Sequence, residues 1–170
     1  MIKLKNNKTI TAFIIFLFFI ISIPAKAQIL DIIKGHAQDI QARFSDDQVI
    51  DGKDIKRGTI DTNAKGQDLI HNSSGTFILK RVGQDLYLQS MQDFKSSLGP
   101  DYHIYVSRFA AIKDNDQFDS KQIEVGRLTK PNGAAYYKLA INNENEVNSV
   151  LIWCKQFKEY IGSVDLKKIN

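Results

Sequence analysis

The sequence predicts a mainly β protein: one antiparallel β-sandwich or barrel-like domain, preceded by a signal peptide and a short N-terminal helix. Short runs rich in β-branched and aromatic residues, with period-two alternation, recur from Leu69 onward and are separated by Gly, Pro and Asn punctuation. No strand–helix–strand alternation accompanies them, which disfavours a doubly wound nucleotide-binding fold. A chain of 170 residues holds one domain of ordinary size.

Residues 1–27 read as a secretory signal. Lys3, Lys5 and Lys8 make a basic start, Ile10 to Ile23 is almost wholly apolar, and Ala25-Lys26-Ala27 supplies small residues at a cleavage site. The apolar run is shorter than the roughly 20 residues of a membrane span. The predicted location is therefore outside the cytoplasm, in a periplasm or the extracellular space. No cysteine follows the run, which argues against a lipid-anchored form. Cleavage after Ala27 leaves 143 of the 170 residues. It also removes Lys3, Lys5, Lys8 and Lys26 and no acidic residue, so 23 basic against 19 acidic residues become 19 of each. A neutral mature chain offers no charge argument for a nucleic-acid partner or an anionic membrane.

Residues 28–44 read as an amphipathic helix. Ile29, Ile32, Ile33, Ala37, Ile40 and Phe44 recur at helical spacing, with Asp31, Lys34, Gln38, Gln41 and Arg43 mostly opposite. Residues 45–67, dominated by Asp, Lys, Gly, Asn and Thr, read as a linker. The β-rich domain is then expected over 68–168.

Within it, Thr76 to Arg81 and Asp85 to Gln89 flank Val82-Gly83-Gln84, a hairpin pattern. Tyr102 to Ser107 is a strand with Tyr102, Ile104 and Val106 on one face. Ala110 to Lys121 is a polar loop. Ile123 to Leu128, Ala134 to Ile141, Val147 to Phe157 and Tyr160 to Leu166 complete the strands. Val150-Leu151-Ile152-Trp153-Cys154 is apolar on both faces, so this strand belongs in the middle of the fold.

Cys154 is the single cysteine, which rules out an intrachain disulfide. It stands where the buried run gives way to Lys155-Gln156. Two readings stay open: a packed core thiol, since free cysteines are among the most buried residues, or a thiol that reacts or ligates at the strand mouth. Alternation aims Lys155 away from it. His103 lies on the polar face of its strand and reads as solvated, His36 as packed on the helix. Asp114-Asn115-Asp116 and Asp119 fail the calcium-loop pattern. There is no thiolate zinc cluster, no P-loop, no nucleophile elbow and no C-x-x-C-H haem attachment.

Four blocks in order carry a resemblance. They are Leu69-Ile70-His71-Asn72-Ser73-Ser74-Gly75-Thr76; Asp93-Phe94 followed by Gly99-Pro100-Asp101-Tyr102-His103-Ile104-Tyr105-Val106-Ser107; Val125-Gly126-Arg127-Leu128; and Val150 to Phe157, V-L-I-W-C-K-Q-F. Together, over about 68–166, they are similar to the DM-thirteen domain, with its "DF…GPDLHVYLS", "LGxL" and "VVIWCxxF" blocks. Two stretches depart from it: Ala134-Ala135-Tyr136-Tyr137 in place of a Gln-x-Tyr strand, and Tyr160-Ile161-Gly162-Ser163 in place of Phe-Gly-x-Ala. The resemblance implies an extracellular β-rich electron-transfer domain, not a stand-alone enzyme, that works with a redox partner protein. It maps the family cysteine onto Cys154, as redox thiol or as ligand to a prosthetic group such as haem, with a histidine as a second axial ligand in the latter case. His71 and Trp153, both within the matching blocks, are the further candidates for holding such a group. The alternative is a non-enzymatic binding or adhesion sandwich in which Cys154 is core.

Overall fold

The computed structural model describes Leu30 and residues 46–169. The signal segment 1–27 and, Leu30 apart, the helix expected over 28–44 lie outside the described residues, as does His36.

Eleven strands follow one another among the described residues, with two short 3₁₀ turns at Asn115–Gln117 and Glu144–Glu146. Strands β1 (Lys53–Thr59), β3 (Thr76–Val82), β4 (Asp85–Ser90), β8 (Ala135–Lys138) and β11 (Lys167–Lys168) form a five-stranded sheet in the order β11-β1-β3-β4-β8. Strands β6 (Tyr102–Ser107), β7 (Ile123–Arg127), β9 (Ser149–Cys154) and β10 (Glu159–Asp165) form a second sheet, β10-β9-β6-β7. A two-stranded ribbon, β2 (Ser73–Ser74) with β5 (Lys95–Ser96), lies beside them. Every recorded pairing is antiparallel. No helix among the described residues is long and apolar enough to cross a membrane.

The two larger sheets bury one core between them. Phe77, Leu79, Leu86 and Leu88 from the first sheet meet Ile104, Val106, Val150, Ile152, Ile161 and Val164 from the second. Alternation explains most of these residues, because every second side chain of a strand points to the same face; in β10 the register shift between Tyr160 and Gly162 breaks the alternation, so that Ile161 and Val164 both reach the core. The β3–β4 hairpin turns through Gly83 and Gln84, and Gly83 takes φ +60. A type II′ turn requires that conformation at its first central position, and its twist matches the flanking strands.

One boundary expectation is corrected. Residues 45–67 are not a linker throughout: β1 runs through Lys53–Thr59 and pairs with both β3 and β11. Ile55 packs against the core and Ile60 belongs to it. Lys56, only 2% exposed, sends its ammonium to Glu144 O, Val147 O and Asn148 Oδ1 at 2.6, 2.9 and 2.7 Å. A buried ammonium with three acceptors is satisfied, so a segment of polar composition becomes a strand of the sheet, paired on both sides.

The expectation for β9 holds. It lies between β10 and β6, and all six of its residues are buried. Val150, Ile152 and Cys154 join the core between the sheets. Leu151 and Trp153 form a second cluster on the opposite face with Tyr105, Tyr160 and Ala64, packed by Ile112 and Phe118.

Candidate functional site: the Cys154 pocket

Cys154 is the last residue of β9. It stands opposite Tyr102 of β6 and Glu159 of β10, and the chain reverses through residues 155–158. Lys158 takes a left-handed φ of 54 in that turn. The thiol is 1% exposed, yet it is not sealed behind packed side chains. It forms part of the wall of a cavity of about 220 Å³, with Ile70, His71, Leu98, Gly99, Pro100, Tyr102 and Phe157. The Gly99-Pro100 pair before β6 therefore builds a wall of this cavity. A Cβ at Gly99 would fall on the Tyr102 ring, so glycine lets the main chain approach that ring.

Burial pushes the Cys154 thiol above its ordinary range. Main-chain hydrogen bonds from Phe157, Gln156 and Asp101 act the other way by favouring the thiolate, and the Asp101 carboxylate adds to the rise. The balance leaves a protonated sulfur at neutral pH, surrounded by donors that would steady a sulfur anion once the proton was displaced. Lys155 takes no part. Its ammonium turns to both Glu124 oxygens at 3.1 Å, as the alternation of side chains predicts.

His71 enters the same cavity from the loop before β2. Its Nδ1 lies 3.0 Å from Asp68 Oδ2. A carboxylate only accepts, so Nδ1 carries the hydrogen, and in the neutral ring this contact leaves the lone pair on Nε2. Asp68 Oδ1 also accepts from the amides of Ile70 and His71 at 2.7 and 2.6 Å. The His71 bonds, side chain first, and that of Ile70 bring the Asp68 carboxyl down to about 2. A carboxylate that fixes the tautomer of a histidine is the usual support of a ligating imidazole. Sequence reasoning placed Asp68 only at the start of the domain; the Asp68…His71 spacing, i and i+3, is the signal that could have found it.

Trp153 is not in the pocket. Its side chain leaves the opposite face of β9 and stacks on Phe118, with ring centroids 4.3 Å apart and an interplanar angle of 16°. Phe118 in turn meets Tyr105 edge-on at 5.4 Å. The structure thus brings Cys154 and His71 to one cavity and separates Trp153 from it by the thickness of the strand.

His103 also departs from the sequence reading. Its side chain is largely covered, with Nδ1 2.6 Å from Glu124 Oε1 and Nε2 2.9 Å from Asp101 Oδ1. With both ring nitrogens engaged by carboxylates it has no position left for a ligand. Among the described residues no group of three or more metal-ligating side chains is found. Asp114 pairs with Lys65 and Asp119 with Lys121.

The donor set, a thiol ringed by main-chain amides and an oriented imidazole, suits a borderline-to-soft metal. The volume is more restrictive. Cofactor pockets run to roughly 300–1,000 Å³, and about 220 Å³ does not enclose a haem. The cavity takes a small ligand or one edge of a larger group.

Within the antiparallel sandwich one cysteine thus lies at the floor of a half-open pocket, and one carboxylate-oriented histidine lies in its wall. Comparison with known families matches residues 65–166 to the electron transfer DM13 family, and the chain belongs to it. No curated protein and no solved structure matches. The match spans β2 to β10 and both pocket residues.

Proposed function

We propose that this chain is an exported electron-transfer module whose redox group meets the protein at the Cys154 pocket. In this reading Cys154 Sγ is the ligand and His71 Nε2 is the second group facing it. The observation that supports this most is that the single thiol and an imidazole oriented by Asp68 line one small cavity. The ligand role is favoured over a bare redox thiol. Thiol–disulfide chemistry proceeds through the thiolate, and burial opposes it here. Cys154 and His71 would hold a metal, whose binding would replace the thiol proton, and the amides of Phe157, Gln156 and Asp101 would stabilise the sulfur charge. The module would accept one electron from a reduced partner protein and pass it to an oxidised one, leaving the polypeptide unchanged. The basic start, apolar run and Ala25-Lys26-Ala27 site support a periplasmic or extracellular location.

The test is the absorbance and electron paramagnetic resonance spectrum, metal content and intact mass of the protein purified from its native host. The expected result is a polypeptide beginning at Gln28 with a bound group whose visible band disappears in a folded Cys154→Ser protein. A bare polypeptide with no band, and with a Cys154→Ser form that still supports its cellular role, would overturn the redox reading. That outcome would favour the second one, a β-sandwich binding or adhesion module. The near-complete burial of Cys154 within the inter-sheet core speaks for it.

A further inference from the structure

Behind the Cys154 pocket, on the other face of the β10-β9-β6-β7 sheet, lies a cluster of charged side chains that the proposed redox site does not use. Register puts it there. Tyr102 stands opposite Cys154 and His103 opposite Trp153, so the first pair shares the pocket face and the second the face behind it. His103 Nδ1 lies 2.6 Å from Glu124 Oε1 of β7, and its Nε2 lies 2.9 Å from Asp101 Oδ1. An ionised carboxylate only accepts, so both ring nitrogens carry hydrogens and the ring bridges the two groups as an imidazolium. Glu124 also accepts from Lys155 Nζ, through both oxygens at 3.1 Å.

Asp101 joins this cluster to the pocket. Its carboxylate, besides meeting His103, lies 3.6 Å from Arg127 Nη1, and Arg127 donates to Pro100 O at 2.9 Å. Its carbonyl accepts from the Lys155 amide at 3.0 Å. Its own amide is one of the donors to the Cys154 sulfur, and the Gly99-Pro100 pair just before it lines the cavity. The contacts close a ring. It runs from the Asp101 carboxylate to His103, Glu124 and the Lys155 side chain, and returns through the Lys155 amide to the Asp101 carbonyl.

We propose that His103 is a positioning residue for the Cys154 site: its imidazolium clamps Asp101, and through the Asp101 main chain it fixes the hydrogen bond that the sulfur receives. Without it the carboxylates of Asp101 and Glu124 lose the donor between them, and two like charges face each other across the β6–β7 pair. Arg127 does not replace the clamp, because 3.6 Å is longer than a hydrogen bond. An amide bonded to a ligating thiolate stabilises its lone pairs, and outer partners of this kind tune affinity and potential. His103 thus acts on the site from the far face of the sheet, touching no bound group itself.

The consequence for a bound group rests on the redox reading of the pocket, whereas the positioning is read without one. The first measurement is amide hydrogen exchange on the group-free protein, comparing wild type with His103→Gln and His103→Arg. Glutamine removes the charge; arginine keeps a cation with donors for both carboxylates. The Asp101 amide is expected to exchange about tenfold faster in His103→Gln and at the wild-type rate in His103→Arg. The Ile152 amide, inside β9, should be unchanged in all three. Glu124→Gln, which weakens the other end of the clamp, should accelerate the Asp101 amide in the same sense. An Asp101 amide indifferent to both glutamine variants would overturn the proposal. So would equal acceleration of Asp101 and Ile152, which marks general loosening of the sheet. The second measurement is titration with cobalt(II). The thiolate charge-transfer band should move to longer wavelength in His103→Gln and return in His103→Arg. The accompanying loss of affinity should be about tenfold or less, and smaller than for His71→Ala. A wild-type band that His103→Gln leaves in place would overturn the proposal. A wild type that binds no cobalt would instead overturn the redox reading of the pocket, while the exchange pattern would still support the positioning of Asp101.

Discussion

The two faces of strand β9 carry the two most conspicuous residues of the sequence, and they differ in kind. On one face Trp153 is closed in by Phe118, Tyr105, Leu151 and Tyr160, with loops laid over it. On the other, Cys154 caps the inter-sheet core at a point where the sheets give way to a cavity shared with His71. Both side chains are at most 5% exposed, so burial alone does not separate them. What does is the neighbour beyond: an aromatic ring in one case, open volume and an imidazole in the other. Adjacent residues of one strand can thus face a packed cluster and a cavity, because alternation sends them to different environments.

Removing Trp153 should have the largest effect on stability. Trp153→Ala is expected to cost about 3–5 kcal/mol, read by denaturant unfolding, and to leave any group at Cys154 spectroscopically unchanged in the protein that remains folded. Loss of the group together with the fold would blur the distinction between the faces. Cys154→Ser places a hydroxyl where a thiol packs and should cost about 1–3 kcal/mol. Unlike the tryptophan change, it should remove the bound group entirely. His71→Ala lies in a partly exposed loop and should shift stability by no more than about 0.5 kcal/mol, yet weaken binding of the group. Asp68→Asn, which removes the orienting charge, should lower metal affinity about 10–100-fold in an equilibrium titration. If His71→Ala and His103→Ala had equal effects on binding, the pocket assignment would fail, since His103 is held between Asp101 and Glu124.

Acidification gives the smallest and most local effect. Asp68 is held at about 2 in the folded chain, against about 3.9 for a free aspartate. A carboxyl depressed on folding contributes stability above the unfolded value and loses it as the proton binds. The Asp68–His71 contact should therefore persist down to pH about 4 and disappear as the pH falls towards 2. The His71 Nδ1 resonance reports this directly, and a change centred above pH 5 would contradict it. Cys154 runs in the opposite sense. Its raised thiol favours the folded state below the free-thiol value of about 8.5, and that contribution is lost as the pH rises beyond it.

The strands with strong alternation were legible from sequence alone, because a period of two is local information. Tyr102–Ser107 and the β3–β4 hairpin fall where Ile104 and Val106, and Gly83, predict them. The interior placement of β9 followed from a run apolar on both faces. β1 was not legible: Lys53, Asp54, Lys56 and Arg57 look like linker, and only the distant acceptors Glu144 O, Val147 O and Asn148 Oδ1 make Lys56 tolerable inside. The same limit applied at the site. Cys154 and His71 could be singled out by type and by the blocks around them, but their shared cavity comes from long-range pairing of β6 with β9 and the fold of the 68–72 loop. Trp153 was grouped with Cys154 because they are neighbours in the chain, which in a strand is the arrangement that separates side chains.

The measurement that bears most directly on this account is the metal titration of the folded, group-free protein followed by thiolate charge-transfer absorbance, comparing wild type with Cys154→Ser, His71→Ala and Trp153→Phe. The account predicts a band that requires Cys154, weakens without His71 and is indifferent to Trp153→Phe. A wild-type protein that develops no band, or one whose band survives Cys154→Ser, would contradict it.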